Sequence, residues 1–137
     1  MTAKFSKDVL AIDAAREVDR ITAFLRETLG KRFKRRGAVV GLSGGIDSSV
    51  VASLCVRALG KERVFGLLMP ERESSAETRR LSRLIAEHLG IAYQEEEITP
   101  LLEAAGCYAR RDAAIRSVLP DVGASFRSKI VLPSLLA

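Results

Sequence analysis

A short polar stretch, residues 41–49, has the residue types and spacing from which binding chemistry is expected. It reads Gly-Leu-Ser-Gly-Gly-Ile-Asp-Ser-Ser and lies between a short apolar run and a helical pattern. Adjacent glycines allow a tight turn and a close approach of the backbone to a ligand. The N–H groups of such a turn and of the first helical turn converge, which favours an anion such as phosphate.

Asp47 is the residue of this stretch that an anion site alone does not explain. A carboxylate at the start of a helix repels phosphate unless a cation lies between them. Mg²⁺ bound by Asp47 and by phosphate oxygens resolves the conflict, because this cation takes oxygen ligands. The hydroxyls of Ser43, Ser48 and Ser49 add small donors. The stretch is therefore predicted to bind a magnesium-bound phosphate group.

Two alternatives for the same stretch remain open. Residues 41–45 also match the G-x-S-x-G pattern of a hydrolase nucleophile elbow, with Ser43 as nucleophile. His88 is the only histidine, and no aspartate lies between Asp47 and His88 to complete a triad. A purely structural strand–turn–helix is the second alternative. The stretch matches neither G-x-x-x-x-G-K-[ST] nor G-x-G-x-x-G.

Predicted strands and helices alternate around the polar stretch. The hydrophobic spacing predicts a helix at residues 7–29, strands at 38–42, 64–69 and 91–98, and helices at 47–59, from a Ser74 cap to Gly90, and from Thr99. This alternation predicts a parallel sheet with right-handed crossovers. Ligands of such sheets bind at the carboxyl ends of the strands. The loops after Leu42 and Met69 are two such ends.

Residues 43–48 resemble the pyrophosphate-binding loop of the nitrogen-type ATP pyrophosphatases. Within that superfamily the chain is similar to the ammonia-dependent NAD synthetase family, because the likeness extends along residues 39–49, 59–70 and 74–91. It covers about residues 6–100. The resemblance implies an α/β fold with a doubly wound parallel sheet, of the Rossmann-like, adenine nucleotide alpha hydrolase-like type.

The resemblance implies an ATP- and Mg²⁺-dependent amide ligase. Such enzymes adenylate the carboxylate of deamido-NAD, release pyrophosphate and let ammonia displace AMP. Asp47 would hold the metal, and two residues that end the second strand would lie near adenine. The implied ATP site consists of Gly41, Leu42, Ser43, Gly44, Gly45, Ile46, Asp47, Ser48, Leu68 and Met69. No catalytic side chain is assigned.

The alternatives to this activity are a pyrophosphatase that acts on tRNA or in sulfur transfer, and a non-catalytic ATP-binding module. Residues 126–132 take the place of the family's substrate segment, so Arg127 and Lys129 are predicted to bind substrate.

The family continues past Ala137, so we expect a truncated domain, residues 37–137, after an N-terminal helix with a basic tail, residues 1–36. An exposed sheet edge then favours self-association, most simply a homodimer.

Composition narrows the class of protein. The chain has 137 residues, of which 47% are hydrophobic and 28% charged, which is typical of a globular domain. No apolar run approaches a membrane span and no secretory signal begins the chain, so we expect a cytoplasmic protein. Cys55 and Cys107 form no C-x-x-C pair, which predicts reduced thiols without zinc.

The net charge of +5 comes from one segment. Residues 1–36 hold ten Lys/Arg and five Asp/Glu, whereas residues 37–137 hold twelve of each. The excess ends in the basic run, residues 31–36. We interpret it as a solvated helix end or weak steering of ATP, and nucleic acid as an unlikely partner. Two clusters of charged residues each allow two interpretations, a solvated surface or a contact with a ligand. The basic cluster is Arg79, Arg80 and Arg83, and the acidic cluster is Glu95, Glu96 and Glu97.

Overall fold

The computed structural model describes residues 11–121. The helices are α1 (Ala14–Glu27), α2 (Ile46–Leu59), α3 (Ala76–Leu89), α4 (Thr99–Ala104) and α5 (Cys107–Val118); the strands are β1 (Ala38–Gly41), β2 (Val64–Leu68) and β3 (Ala92–Glu95). The contacts divide the chain into two compact units between Ile98 and Thr99. The first unit holds the sheet with α1–α3, and the second holds α4 and α5. The domain boundary predicted after residue 36 stays a prediction.

The three strands form one parallel sheet in the order β1-β2-β3. Val40 lies beside Gly66, and Gly66 lies beside Tyr93. Each crossover runs through a helix, α2 between the first two strands and α3 between the last two. The predicted alternation and parallel sheet are confirmed, and the carboxyl ends of all three strands share one edge.

One face of the sheet carries the hydrophobic core. Alternate strand residues point to this face, where they pack against α2 and α3, with Leu25 of α1 at the margin. Burial on this face accounts for the β-branched and leucine-rich strands, since parallel sheets are buried by their crossover helices. The buried core residues are Val40, Leu42, Ala52, Cys55, Val64, Leu68, Ala86 and Ile91.

The other face of the sheet is open over the described residues. Val39 and Phe65, which are paired across β1 and β2, are 69% and 36% exposed. Gly41 and Leu67 form the next pair on that face. The two faces of one short sheet therefore differ strongly in the apolar surface that they leave in contact with water.

Several element boundaries differ from those predicted. α1 begins at Ala14 rather than at residue 7, because Asp13 caps it by accepting the Arg16 N–H at 3.1 Å. The prediction that Ser74 caps α3 is wrong. Ser75 is the N-cap and accepts the Thr78 N–H at 3.1 Å.

Three further boundaries, the ends of α2, α3 and β3, follow from backbone geometry. Gly60 and Gly90 end α2 and α3 with positive φ angles of 88° and 64°, as predicted. The regular part of β3 ends at Glu95, not at residue 98. Glu96 and Ile98 still donate their N–H groups to the Leu68 and Pro70 carbonyls, at 2.8 and 3.0 Å, but Pro70 has no N–H to donate in return, so the ladder beyond Glu95 is incomplete.

The basic run lies at the amino edge of the sheet. A π-helical turn, Thr28–Arg32, continues α1 through Gly30, and residues 31–36 are all exposed. Arg36 lines a groove of about 620 Å³ with Lys61 and Arg63, at the amino ends of the strands. The polar loop lies beyond β1, about 13 Å away for four residues. This exceeds the ~8 Å screening length at physiological salt, which argues against the steering role.

Candidate functional site

The polar loop connects β1 to α2 at the carboxyl edge. Leu42 fixes its first end, because its side chain is buried in the core and its N–H donates to the Leu67 carbonyl at 2.9 Å. Gly45 is the N-cap of α2 in an extended conformation. Residues 43–45 thus have little freedom between a core residue and a helix, and they are held at the edge where ligands of parallel sheets bind.

Gly44 is the position where the loop requires glycine. Its φ of 73° lies in the left-handed region. A Cβ there would lie 2.8 Å from Leu81 Cβ and 2.9 Å from the Thr78 carbonyl oxygen. Both atoms belong to α3, so the loop packs directly on the first turns of that helix. Two independent constraints, backbone conformation and space, explain the residue type.

The loop serines brace the loop. Ser48 Oγ accepts the Ser43 N–H at 3.2 Å and donates to the Gly45 carbonyl at 3.1 Å. The Ser43 and Ser48 hydroxyls are 3.2 Å apart, and Ser49 Oγ donates to the Gly45 carbonyl at 2.8 Å. The sequence predicted these serines as hydrogen-bond donors to a ligand, and that prediction did not include these hydrogen bonds within the loop.

The nucleophile-elbow alternative loses support. In residues 11–121, the partners of Ser43 Oγ are Ser48 and the Gly45 N–H, and no hydrogen bond joins it to His88. His88 instead lines a groove between α2 and α3 with Gly44 and Ser49. A serine without a base bonded to it lacks the activation that a hydrolase requires.

Backbone N–H groups converge where α2 begins. The first helical bond is Ser49 N–H to the Gly45 carbonyl, at 3.2 Å. The N–H groups of Ile46, Asp47 and Ser48 precede it and have no acceptor within the described part of the chain. These groups and the helix dipole make this end of α2 suitable for an anion.

The Asp47 carboxylate lies in the first turn of α2 and is exposed. It takes part in no hydrogen bond or ion pair among residues 11–121. No cluster of three metal-binding side chains occurs in the described segment, so a protein-only metal cage is absent from it. One carboxylate together with phosphate oxygens is the ligand set that Mg²⁺ commonly takes, so this residue fits the predicted magnesium site.

A cleft of about 290 Å³ opens beside the loop at the carboxyl edge. Its apolar part comes from the end of β2, as the predicted adenine contact requires. Met69 is 47% exposed, whereas Leu68 is 1% exposed and faces the core, so the exposed apolar contact is that of Met69. The lining residues are Gly41, Leu42, Ser43, Leu67, Leu68, Met69, Pro70, Ser74, Thr78, Arg79, Ser82 and Glu95.

The structure brings together only part of the predicted site. Gly41, Leu42, Ser43, Leu68 and Met69 line the cleft. The remaining predicted residues, 44–48, are outside its lining and form the loop and helix start next to Ser43. The predicted substrate residues Arg127 and Lys129 lie outside the described residues.

Three polar cleft residues were missed from the sequence: Ser74, Thr78 and Ser82. A usable signal existed, because α3 follows β2 and must begin at the same edge as the loop. Glu95 ends β3 and accepts from Arg83 Nε at 2.8 Å, and this hydrogen bond raises the pKa of Arg83. The carboxylate therefore lies within an ion-pair network.

No helix in residues 11–121 is long and apolar enough to cross a membrane.

Both cysteines are free. Cys55 is buried in the core, and burial raises the pKa of its thiol. Cys107, in α5, is partly exposed. The predicted reduced thiols agree with this arrangement.

A parallel sheet with a glycine-containing loop and an apolar cleft at its carboxyl edge is typical of nucleotide-binding α/β proteins. The fold of this chain is adenine nucleotide alpha hydrolase-like, as solved structures show. An NH3-dependent NAD synthetase from Campylobacter jejuni matches with a TM-score of 0.65 and 35% identity, over 80% of this chain and 51% of that one. An NMN synthetase from Francisella tularensis matches with a TM-score of 0.65 and 26% identity, over 74% and 41%.

The family model of NAD synthase matches residues 17–130, and the chain belongs to this family. An NH(3)-dependent NAD(+) synthetase from Mesorhizobium japonicum is 53% identical over 128 residues, 93% of this chain and 40% of that protein. The one from Rhizobium meliloti is 53% identical over 132 residues, 96% and 39%. The chain thus spans about 40% of the length of the curated relatives it matches.

Proposed function

We propose that this chain forms the ATP-binding part of an ATP-dependent carbon–nitrogen ligase, an ammonia-dependent NAD synthetase. The observation that carries the proposal is the group of three N–H donors at the start of α2, Asp47 among them, that have no acceptor within residues 11–121. The adjoining cleft supplies an apolar wall for a base. Phosphate, metal and adenine thus each have a matching surface at one edge of the sheet.

The loop geometry suits the first step of such a reaction. A carboxylate oxygen of deamido-NAD attacks the α-phosphorus of ATP, the bond to the bridging oxygen breaks, and pyrophosphate leaves. The N–H groups of α2 and the helix dipole stabilise the negative charge that grows on the leaving group. Mg²⁺, when bound by Asp47 and the phosphates, would neutralise further charge. Ammonia then displaces AMP from the acyl adenylate.

Several finer statements belong to the same proposal. Arg127 and Lys129 would bind the dinucleotide substrate, and the whole protein would be cytoplasmic. A homodimer is supported by the open sheet face with Val39 and Phe65, since exposed apolar surface of this kind favours association. A non-catalytic ATP-binding module is the second candidate, because the chain spans about 40% of its relatives.

Asp47→Asn tests the magnesium and phosphate site. We expect MgATP binding to weaken by about tenfold or more, because the variant loses a carboxylate ligand of the cation. ATP binding without Mg²⁺ should stay the same or strengthen, since a repulsive charge is removed. Isothermal calorimetry with and without Mg²⁺ measures both. Glu62→Gln, which removes an exposed acid at the opposite edge, is the control.

Three outcomes would contradict parts of the proposed function. Unchanged MgATP affinity in Asp47→Asn removes the metal assignment. Pyrophosphate release that depends on tRNA, and not on deamido-NAD with ammonia, identifies another member of the superfamily. Tight MgATP binding by the full chain without any turnover favours the non-catalytic module.

A further inference from the structure

Arg79 is the only lysine or arginine among the described residues that line the cleft. It extends from the first turns of α3, close to the loop. Its preceding residue, Thr78, places a carbonyl oxygen 2.9 Å from where a Cβ on Gly44 would lie. The turn of α3 that carries Arg79 is therefore packed on the phosphate loop itself.

The structure distinguishes three arginines of α3 that the sequence left equivalent. Arg80 pairs with Glu77 of its own helix, at 2.7 Å, on an exposed surface. Arg83 pairs with Glu95 at 2.6 Å. Arg79 contacts Glu97 closely and Glu95 loosely, at 3.7 Å.

The Arg79 guanidinium is hydrogen-bonded to Glu97, but both side chains of this pair lie at the surface, where a ligand can replace one partner. The Arg79 side chain is 41% exposed, and its distance to Glu95 is beyond hydrogen-bonding range. Exposed ion pairs contribute little net stability, so exchanging them for another anion costs little. Arg83 continues to neutralise Glu95 when Arg79 turns away. The acidic wall of the cleft therefore stays compensated in either arrangement.

We propose that Arg79 binds the phosphate chain of ATP from the α3 side of the cleft, and that its guanidinium exchanges the surface ion pair with Glu97 for phosphate oxygens when ATP arrives. This inference rests on the proposed function and adds a residue to it. ATP carries several negative charges into a cleft that already contains the Glu95 carboxylate. A guanidinium offers paired N–H donors to phosphate oxygens, and such charge-assisted bonds are among the stronger ones.

The test compares Arg79→Gln with Arg80→Gln in the full chain. We expect Arg79→Gln to weaken MgATP binding by about 10- to 100-fold, the equivalent of one charge-assisted hydrogen bond. Adenosine, which has no phosphate, should bind both variants within about twofold of the original protein. Arg80→Gln is the matched control, because it removes the same charge one residue away and outside the cleft.

The outcomes separate this inference from the proposed function. Unchanged MgATP affinity in Arg79→Gln, or equal losses in both variants, overturns the role of Arg79 while the proposed function stands. Absence of MgATP binding in the original chain contradicts the proposed function instead. Arg79→Lys keeps the charge and guards against a folding defect. It should recover part of the lost affinity, and full loss in this folded variant also overturns the role.

Discussion

The carboxyl and amino edges of the sheet differ in charge and in how firmly their polar groups are held. The amino edge is the more basic of the two, but the carboxyl edge is the one suited to an anion. At the carboxyl edge, backbone geometry fixes the loop, and its donors are N–H groups of α2. At the amino edge, Arg36, Lys61 and Arg63 are exposed side chains around a groove. Donors held by the backbone are preorganised, whereas flexible surface cations lose side-chain entropy when they bind.

Helix polarity explains why the two edges differ in this way. Each crossover helix begins at the carboxyl edge and ends at the amino edge, so helix C-termini collect beside the basic groove. Lys61 Nζ lies 3.7 Å from where a Cβ of Gly90 would be, next to the end of α3. Cations there complement the helix dipole. The exposed cations of the amino edge are therefore explained by the helix ends beside them and do not indicate an anion site.

The largest expected effect is a loss of stability on substitution of a glycine at the carboxyl edge, compared with the same substitution near the amino edge. Gly44→Ala should destabilise the fold by roughly 2–4 kcal/mol, because the residue has a left-handed φ and its Cβ would overlap α3. MgATP binding should fall with it. Gly30→Ala is the control, since no atom lies within 4 Å of its Cβ position. Urea unfolding of both variants measures the difference, and equal free energies of unfolding would contradict a rigid loop.

A smaller effect tests how far the ordered carboxyl edge extends along α3. Ser75→Ala should cost about 1 kcal/mol, because it leaves the Thr78 N–H without its capping oxygen. Ser74→Ala should cost less, roughly 0.5 kcal/mol, since it removes one hydrogen bond from the Glu71 N–H. Thermal unfolding ranks the two. The reverse order would restore Ser74 as the cap.

The smallest expected effect concerns the amino edge. Arg36→Gln combined with Lys61→Gln should change MgATP affinity by less than about twofold at physiological salt, because the groove lies beyond the screening length from the loop. Calorimetry at low and physiological salt checks this. A loss as large as that of Arg79→Gln would show that the two edges act together.

The sequence was sufficient for the strands, the crossovers and the loop, because glycine positions and apolar periodicity reflect local constraints. It did not identify the α3 cap, since Ser74 and Ser75 are both suitable and the choice depends on the Ser74 bond to the Glu71 N–H. Nor did it single out Arg79. Its position follows from the packing of Gly44 on α3, a contact between residues more than thirty positions apart.

The burial of Cys55 has a practical consequence. Thiolate is the form that reacts with alkylating reagents, and burial both shields this thiol and raises its pKa. Its modification therefore proceeds through opening of the core between α2 and the sheet. Cys107, which is partly exposed, reports on accessibility outside that core. The labelling rate of Cys55, measured with and without nucleotide, therefore reports how often the core opens around α2, the helix that begins at the polar loop.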